Sequence, residues 1–372
     1  MSPRSGSGPC PSQPSAPPGD GPATVVRHAA SRLAVRWLTP GHAESWDQTL
    51  SRAPQVCPFL RADWLAVLAD TLECDIVLAG VTDHDHLVAG LVGMRKASQD
   101  RSVLQRIPLV PYSGVWIADS AAHLAHRAQR RTARRLGCLA KEIAGRFQSA
   151  TIEAHPDNRD LRPFTWNGWR AEIRYSFVTD LTRDPLTHCD SDVRRRARNA
   201  ESQGVRFVRN VQPQEFEHLW LVTHERQGLA PAVPSGALAP LLARLSRLCD
   251  THIHGARLAD GRLAAANVVF YQASTAYYWM AAFDPRLAHT GANQFCTLQT
   301  LRAARQHAPN FDWIGANTPG VADYKQSFGP VLVPYARLSW RAAPAVDSRG
   351  PVRRAMVRCA QWTHRRSHDE PG

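Results

Sequence analysis

The sequence predicts an α/β fold made of two similar units in tandem. Three observations support this prediction: apolar residues recur at helical spacing in several segments, apolar-rich strand-like segments lie between them, and the order of elements runs twice along the chain. Each half reads helix, three strands, long helix, strand, short helix, strand. Internal duplication of this kind indicates two copies of one unit, each with a mixed sheet flanked by helices.

The first copy starts with a helix predicted over 58–72, where the apolar residues follow helical spacing. Three strands are predicted next, DIVLAGV, HLVAGLVGM and VPYSGVWIA, and DHD forms the turn between the first two. A long helix over 121–147, the strand ATIEA, a short helical or looped stretch over 161–166 and the strand EIRYSFVTDL complete the copy.

The second copy repeats this order. Helices over 213–227 and 236–248 precede the strands HIHGARL and RLAAANVVFY, which a hairpin turn at Asp260 and Gly261 connects. The remaining predicted elements are the strand AYYWMAAF, a helix over 291–307, the strand FDWIG, a short helix over 321–328 and the strand VLVPYARLSW. Local details also repeat, because ATIEAHPDN followed by TWNGW corresponds to FDWIGANTPG followed by QSFGP.

These patterns divide the chain into four segments. We expect one unit over 34–183 and the other over 184–342. Residues 1–33 are dominated by Pro, Ser and Gly, which predicts a disordered tail. Residues 343–372 form a basic C-terminal tail, in which 352–366 has the pattern of an arginine-bearing helix that is either solvated or in contact with nucleic acid or membrane.

Composition narrows the functional classes. The chain has 372 residues, 44% of them hydrophobic, and no uninterrupted apolar run of the roughly 18 residues that a membrane-spanning helix needs. Its first residues lack a signal-peptide core, so we expect a cytoplasmic protein. Eight scattered cysteines without a C-x-x-C pair are typical of reduced thiols and predict no metal site. The formal net charge of +13 favours partners rich in phosphate.

An arginine-rich segment lies between the two units. Ser191 and Asp192 favour the start of a helix and Gly204 its end, so the segment predicts a helix over 192–203. Its arginines are Arg194, Arg195, Arg196 and Arg198. Two interpretations stay open: a solvated helix face, or a surface that grips phosphate, for which the planar guanidinium is well suited.

A second segment with possible chemistry opens the long helix of the second unit. Gly291, Ala292 and Asn293 follow a strand and a turn, and small residues at a helix start leave backbone N–H groups free to cradle a phosphate. Small residues also start helices for packing reasons, so this pattern alone does not identify a phosphate site.

A third segment is NTPGVADYKQSFG, which places Lys325 between Tyr324 and Phe328. The chain holds only three lysines among 45 basic residues, so each lysine is a stronger functional candidate than usual. An ammonium beside aromatic rings in a cleft would stabilise an oxyanion or a phosphate. The alternative is a surface lysine whose stem packs on Tyr324.

Taken together, these three segments resemble a known family. The order R-R-x-x-R-x-A-E-x-x-G-V from Arg194 to Val205, then G-A-N opening a helix, then FDWIG and P-G-V-A-D-Y-K-Q-S-F-G, is similar to Fem-type peptidyltransferases and related acetyltransferase-like proteins. The resemblance covers roughly 46–340 and implies two tandem GNAT-like (acyl-CoA N-acyltransferase) domains. Two positions depart from the family pattern: Tyr324 replaces a phenylalanine, and His289 replaces a common arginine.

The resemblance implies an N-acyltransferase that moves an acyl or aminoacyl group from acyl-CoA or aminoacyl-tRNA to an acceptor amine, with a cell-wall or secondary-metabolite peptide as one candidate acceptor. It implies no tightly bound cofactor, and a possible tRNA partner. Lys325 would stabilise charge or bind the donor phosphate, with Tyr324 and Asp323 on a proton path. Donor or phosphate binding would fall to Gly291, Ala292, Asn293, Arg194, Arg195 and Arg198. The rival hypothesis is a non-catalytic basic binding protein that retains the GNAT fold.

Overall fold

The computed structural model describes residues 25–27, 33–38, 42–97, 102–118, 125–228 and 230–342. The strands in these residues are β1 (Val25–Arg27), β2 (Leu33–Leu38), β3 (Asp75–Asp83), β4 (His86–Lys96), β5 (Val103–Gln105), β6 (Val115–Ile117), β7 (Ser149–Glu153), β8 (Arg170–Asp180), β9 (Arg206–Val208), β10 (Asp250–Arg257), β11 (Leu263–Gln272), β12 (Thr275–Phe283), β13 (Asn310–Asp312) and β14 (Val331–Arg341).

The α-helices in the same residues are α1 (Ala43–Leu50), α2 (Ala62–Thr71), α3 (Ala125–Arg146), α4 (Arg162–Thr165), α5 (Ser191–Ser202), α6 (Pro213–Gln227), α7 (Leu238–Leu245), α8 (Ala292–Ala304) and α9 (Pro319–Gln326). Short 3₁₀ turns precede α2, α5 and α8. Each predicted helix within the described residues is present, with ends that move by a few residues.

One mixed sheet contains these strands in the order β1-β2-β3-β4-β5-β7-β14-β8-β13-β12-β11-β10-β9, and β6 pairs with β4. Neighbours are antiparallel except for two parallel pairs, β5 with β7 and β12 with β13. The predicted α/β class is confirmed. The duplication is also visible, because each half places a long helix before a short inner strand: α3 before β7, and α8 before β13.

The last strand of each half lies beside the other half. β8 pairs with β13 of the second half, and β14 pairs with β7 of the first half. β8 and β14 also pair with each other in the centre of the sheet, from Val331 opposite Val178 to Ser339 opposite Arg170. This exchange joins the halves by main-chain hydrogen bonds. The boundaries 34–183 and 184–342 stay predictions, because pairing across the sheet does not follow them.

Apolar side chains on both faces of the sheet form three clusters. One lies in the first half under α3, and one lies in the second half under α5 and α8. The third joins the halves on the opposite face, where α1, α2, α6 and α7 pack together. Aromatic rings meet edge to face in this shared cluster, with Trp64 contacting both Phe270 and Trp279 at centroid distances of 6.1 and 6.0 Å.

Two sequence-based predictions need correction. The strand VPYSGVWIA is a strand only at β6, because residues 106–112 leave the first half and contact the second. Within the predicted tail 1–33, Val25–Arg27 form β1 against β2, and Leu33 begins β2. The rest of that tail, and the C-terminal tail 343–372 with its predicted helix, lie outside the described residues.

Candidate functional site

The sheet opens between β12 and β13. Their parallel pairing ends at Tyr277 and Asp312, while β12 continues to Phe283 beside β11. After β13 the chain turns toward β8, where the Trp313 N–H donates to the carbonyl of Phe177 at 3.0 Å. Among the described strands, the far half of β12 therefore pairs on one side only, and its other edge faces the opening.

A cavity of about 400 Å³ lies at this opening. The second half contributes β12, α6 and Ile314, and the first half contributes the loop 106–111. The Trp279 indole N–H donates to the carbonyl of Leu109 at 2.8 Å, which fixes the loop to β12. The lining residues are Arg106, Ile107, Leu109, Val110, Pro111, Trp220, His224, Ala232, Trp279, Met280, Ala281 and Ile314.

His224 is the lining residue best suited to accept a proton. Its Nδ1 lies 2.9 Å from the carbonyl oxygen of Trp220, one helical turn earlier on α6. A carbonyl only accepts hydrogen bonds, so Nδ1 carries the hydrogen and the Nε2 of a neutral ring keeps its lone pair. The ring packs against Trp220 at a centroid distance of 4.1 Å and an interplanar angle of 48°, which restricts its orientation. No motif or spacing in the sequence distinguishes this histidine.

Lys325 lies behind one wall of the cavity rather than in it. Its Nζ donates to three backbone carbonyls, those of Trp313 at 2.6 Å, Ile314 at 2.9 Å and Gly315 at 3.0 Å. Burial lowers the pKa of Lys325 to about 8, and the nearby carboxylate of Asp312 opposes this shift. The ammonium has three donors, all of them used here. Lys325 thus anchors the turn that carries Ile314, a residue with φ of 52°.

A buried carboxylate that the sequence analysis missed organises the same turn. Asp312 accepts hydrogen bonds from the Tyr112 hydroxyl at 2.8 Å, the Ser176 hydroxyl at 2.7 Å and the Ile314 N–H at 2.8 Å. Burial is also the main cause that raises the pKa of Tyr112. The internal repeat indicates Asp312, because Asp312 is the last residue of β13 and Glu153 is the last residue of the corresponding strand β7.

The hydrogen-bond partners of Tyr324 differ from those of the Lys325 ammonium. The Tyr324 hydroxyl lies 2.8 Å from the Thr297 hydroxyl and 3.3 Å from the carbonyl of Asn293, so it connects α9 to α8. Burial raises the pKa of Tyr324 well above its ordinary value. Asp323 is exposed. The structure therefore separates the three predicted catalytic side chains, and their roles stay predictions.

The start of α8 is covered by α5. Gly291 has φ of 72°, and a Cβ there would lie 2.6 Å from the carbonyl oxygen of Arg196, so close packing requires glycine. The Gly291 N–H donates to the carbonyl of Ala288 at 3.4 Å, and that of Ala292 donates to the Thr290 hydroxyl at 3.2 Å. These two N–H groups thus already have acceptors within the fold, and phosphate binding by Gly291, Ala292 and Asn293 stays a prediction.

The arginine helix is only partly solvated. Arg194 donates to the carbonyl of Leu186 at 3.2 Å, whereas Arg195 pairs with Asp192 and is exposed. Arg198 is also exposed. The structure brings α5 against the start of α8, and Tyr324 connects α9 to the same helix, so the three predicted segments meet at α8. Phosphate binding by these arginines stays a prediction.

The described residues hold neither a candidate metal site nor a membrane-spanning helix. In that part of the chain, no group of three or more His, Cys, Asp or Glu side chains is arranged to hold a metal ion. The same residues contain no helix of the length and hydropathy needed to cross a membrane.

Comparison with known proteins agrees with this geometry. A family model described as the acetyltransferase (GNAT) domain matches residues 187–326. Most of the second half of the chain is therefore similar to the GNAT acetyltransferase domain. The structure also resembles FemX, with a TM-score of 0.61 and 13% identity over 82% of this chain and 96% of that one. The predicted resemblance to Fem-like GNAT proteins is confirmed at the level of the fold.

Two further solved structures share this fold. The C-terminal domain of a putative lysylphosphatidylglycerol synthetase from Agrobacterium fabrum has a TM-score of 0.55 and 12% identity, over 82% of this chain and 93% of that one. A conserved protein of unknown function from Bacteroides thetaiotaomicron has a TM-score of 0.53 and 11% identity, over 81% and 97%. No curated protein sequence matches the chain.

Proposed function

We propose that this protein is an N-acyltransferase that moves an acyl group from acyl-CoA to the amine of an acceptor. The observation that carries the proposal is the opening between β12 and β13, with a cavity beside it that His224 lines. Such an opening gives an acyl donor at the strand edge and an acceptor in the cavity a common meeting point. The GNAT match to residues 187–326 supports the same reaction class.

The reaction needs a base and a place for the acceptor, both of which the cavity supplies. The neutral acceptor amine attacks the thioester carbonyl, a C–N bond forms, and the tetrahedral oxyanion collapses as the C–S bond breaks. The proton of the attacking nitrogen passes to Nε2 of His224, and the departing CoA thiolate takes a proton from solvent or from that imidazolium. The hydrogen bond to Trp220 keeps Nε2 available.

The free edge of β12 favours acyl-CoA over aminoacyl-tRNA as the donor. An exposed strand edge binds extended chains that carry amides, because these chains supply matching donors and acceptors. The pantetheine arm of CoA carries two amides and has this shape. The net charge of +13 is compatible with either donor, so it does not distinguish them.

Lys325 acts in this proposal as a positioning residue. By holding the carbonyls of Trp313, Ile314 and Gly315, it keeps the wall of the opening apart from β12. Its buried positive charge also contributes a favourable potential to a nearby oxyanion. Tyr324 supports the arrangement by connecting α9 to α8. Asp323 receives no role, because its side chain is exposed.

The test compares the two donors directly. Purified protein is incubated with acetyl-CoA or with a charged tRNA, each with a mixture of amines, and the consumption of each donor is followed by chromatography. We expect amine-dependent release of free CoA and no amine-dependent loss of charged tRNA. Consumption of charged tRNA alone would overturn the choice of donor. If neither donor is consumed, the non-catalytic binding hypothesis takes its place.

A further inference from the structure

We propose that the acceptor is an amine with an aromatic or branched apolar body and a carboxylate, as in an apolar amino acid. This inference rests on the proposed function and names the substrate class of the same cavity. Two features of the cavity carry it: an apolar floor and an arginine with spare hydrogen-bond donors.

The floor of the cavity consists of rigid apolar surface. Trp220, Trp279 and Met280 are almost wholly buried, as are Ile107 and Val110 from the first half. The hydrogen bond from Trp279 to Leu109 and the tilted ring contact of Trp220 with His224 restrict the two indoles. The hydroxyl groups of a polar acceptor such as a sugar amine would lose water against this apolar surface, which is costly. An apolar body avoids that cost.

Arg106 provides the contact for a carboxylate. Its side chain is 48% exposed, and its Nη1 lies 3.4 Å from Oε1 of Glu153. That carboxylate is already held by Arg337, whose Nε and Nη2 lie 3.1 and 2.7 Å from the same oxygen. Arg106 therefore keeps most of its five donors for another group, and a planar guanidinium binds a carboxylate with two parallel hydrogen bonds.

The two features also suit the reaction. Arg106 and His224 line one cavity, so a carboxylate on Arg106 places the acceptor within the space that His224 faces. The positive charge of Arg106 disfavours a neighbouring ammonium, which increases the fraction of acceptor that is a neutral nucleophile. The volume of about 400 Å³ is ample for one amino-acid-sized molecule.

The experiment measures binding without a donor. L-phenylalanine, L-serine and phenethylamine are titrated into the full-length protein by calorimetry: serine lacks the apolar body, and phenethylamine lacks the carboxylate. We expect phenylalanine to bind at least fivefold more tightly than either probe. A smaller difference from either probe, or no binding of phenylalanine, overturns the inference.

Two variants assign the preference to the cavity. Leu109→Asn puts a polar group on the cavity wall, and asparagine tolerates the φ of 64° at this position. This variant should lower the affinity for phenylalanine at least fivefold and leave the affinity for serine within twofold of the native value. Arg106→Gln should remove the advantage of phenylalanine over phenethylamine. Ile173→Asn, at a residue that is 68% exposed on β8, and Arg130→Gln on α3 are controls that should change neither preference. Variants that behave like their controls would overturn the inference.

Turnover then separates this inference from the proposed function. Acylation of serine, phenethylamine and phenylalanine at equal efficiency would overturn the inference and leave the N-acyltransferase assignment in place. The expected binding order without consumption of any acyl donor would instead overturn the assignment as an enzyme, and the cavity would belong to a binding protein for apolar amino acids.

Discussion

The two halves of the molecule differ at the equivalent region of the sheet, which is open in the second half and filled in the first. In the second half β12 is a continuous strand, and the gap between it and the chain after β13 is open. In the first half the corresponding strand is broken into β5 and β6. The returning chain fills the gap there, since the Glu153 N–H donates to the carbonyl of Ser113 and the Val92 N–H to that of Gly114, both at 3.1 Å.

The difference shows how two similar units can become asymmetric in structure. The residues that interrupt the first-half strand, 106–112, cross to the second half and form one wall of its cavity. The buried carboxylates at the ends of the two inner strands also differ: Glu153 is held by Arg337, and Asp312 by hydroxyl groups beside Lys325. The gap in the sheet is filled in the first half, and the loop that interrupts the strand there forms a wall of the cavity in the second half.

The largest effect that tests this comparison is expected at His224. Glutamine cannot take up the proton of the amine, so His224→Gln should lower turnover by about 10²- to 10⁴-fold, the range for loss of a general base. His218→Gln is the control, because His218 is exposed on the same helix and does not line the cavity. CoA release by the folded variants gives the answer. Full activity in His224→Gln would mean that the open half is not where the reaction occurs.

The next effect concerns the anchor of the open half. Lys325→Ala removes a buried side chain and leaves three carbonyls without their donor, so we expect it to lower the free energy of unfolding by about 3 kcal/mol. Lys141→Ala on α3 is the control, since Lys141 is exposed, and it should stay within about 0.5 kcal/mol of the native protein. Urea unfolding measures both. If Lys325→Ala and the native protein had the same free energy of unfolding, Lys325 would not anchor this turn.

A pH dependence follows from the same lysine. Burial lowers the pKa of Lys325 from 10.5 to about 8, so between these values the folded state binds fewer protons than the unfolded state and stability rises with pH. The difference in unfolding free energy between the native protein and Lys325→Ala should therefore be constant below pH 8. It should then grow by up to about 3 kcal/mol as the pH approaches 10.5. A flat difference across this window would contradict the burial of a charged lysine.

The smallest effect probes the closed half. A Cβ on Gly114 would lie 2.5 Å from the carbonyl oxygen of Glu153, so Gly114→Ala should force the filling segment away from β7 and cost about 1–3 kcal/mol. Gly145→Ala on α3 meets no atom within 4 Å and should stabilise the protein by about 0.5–1 kcal/mol. Thermal unfolding of both variants measures this contrast. If Gly114→Ala is as stable as the native protein, the first half is not closed by this contact.

Part of the candidate site could be predicted from the sequence, because short motifs depend only on residues that are close together in the chain. The segments with Arg194, Gly291 and Lys325 were selected by short motifs, and each lies on the predicted helix or at its start. The partners of Lys325 could not be predicted, because they are backbone carbonyls whose direction depends on the turn after β13. His224 and Arg106 lie 118 positions apart and carry no motif, so nothing in the sequence connects them.

The sequence by itself determined the α/β class, the duplicated order of elements and most helix bounds, because periodicity and turn residues act over a few neighbours. Only the tertiary structure decided that β8 and β14 exchange between the halves and that residues 106–112 cross to the second cavity. The sequence pattern of a strand is the same whichever neighbouring strand it pairs with. The choice of neighbour depends on the packing of both halves together, which residues distant in sequence determine jointly.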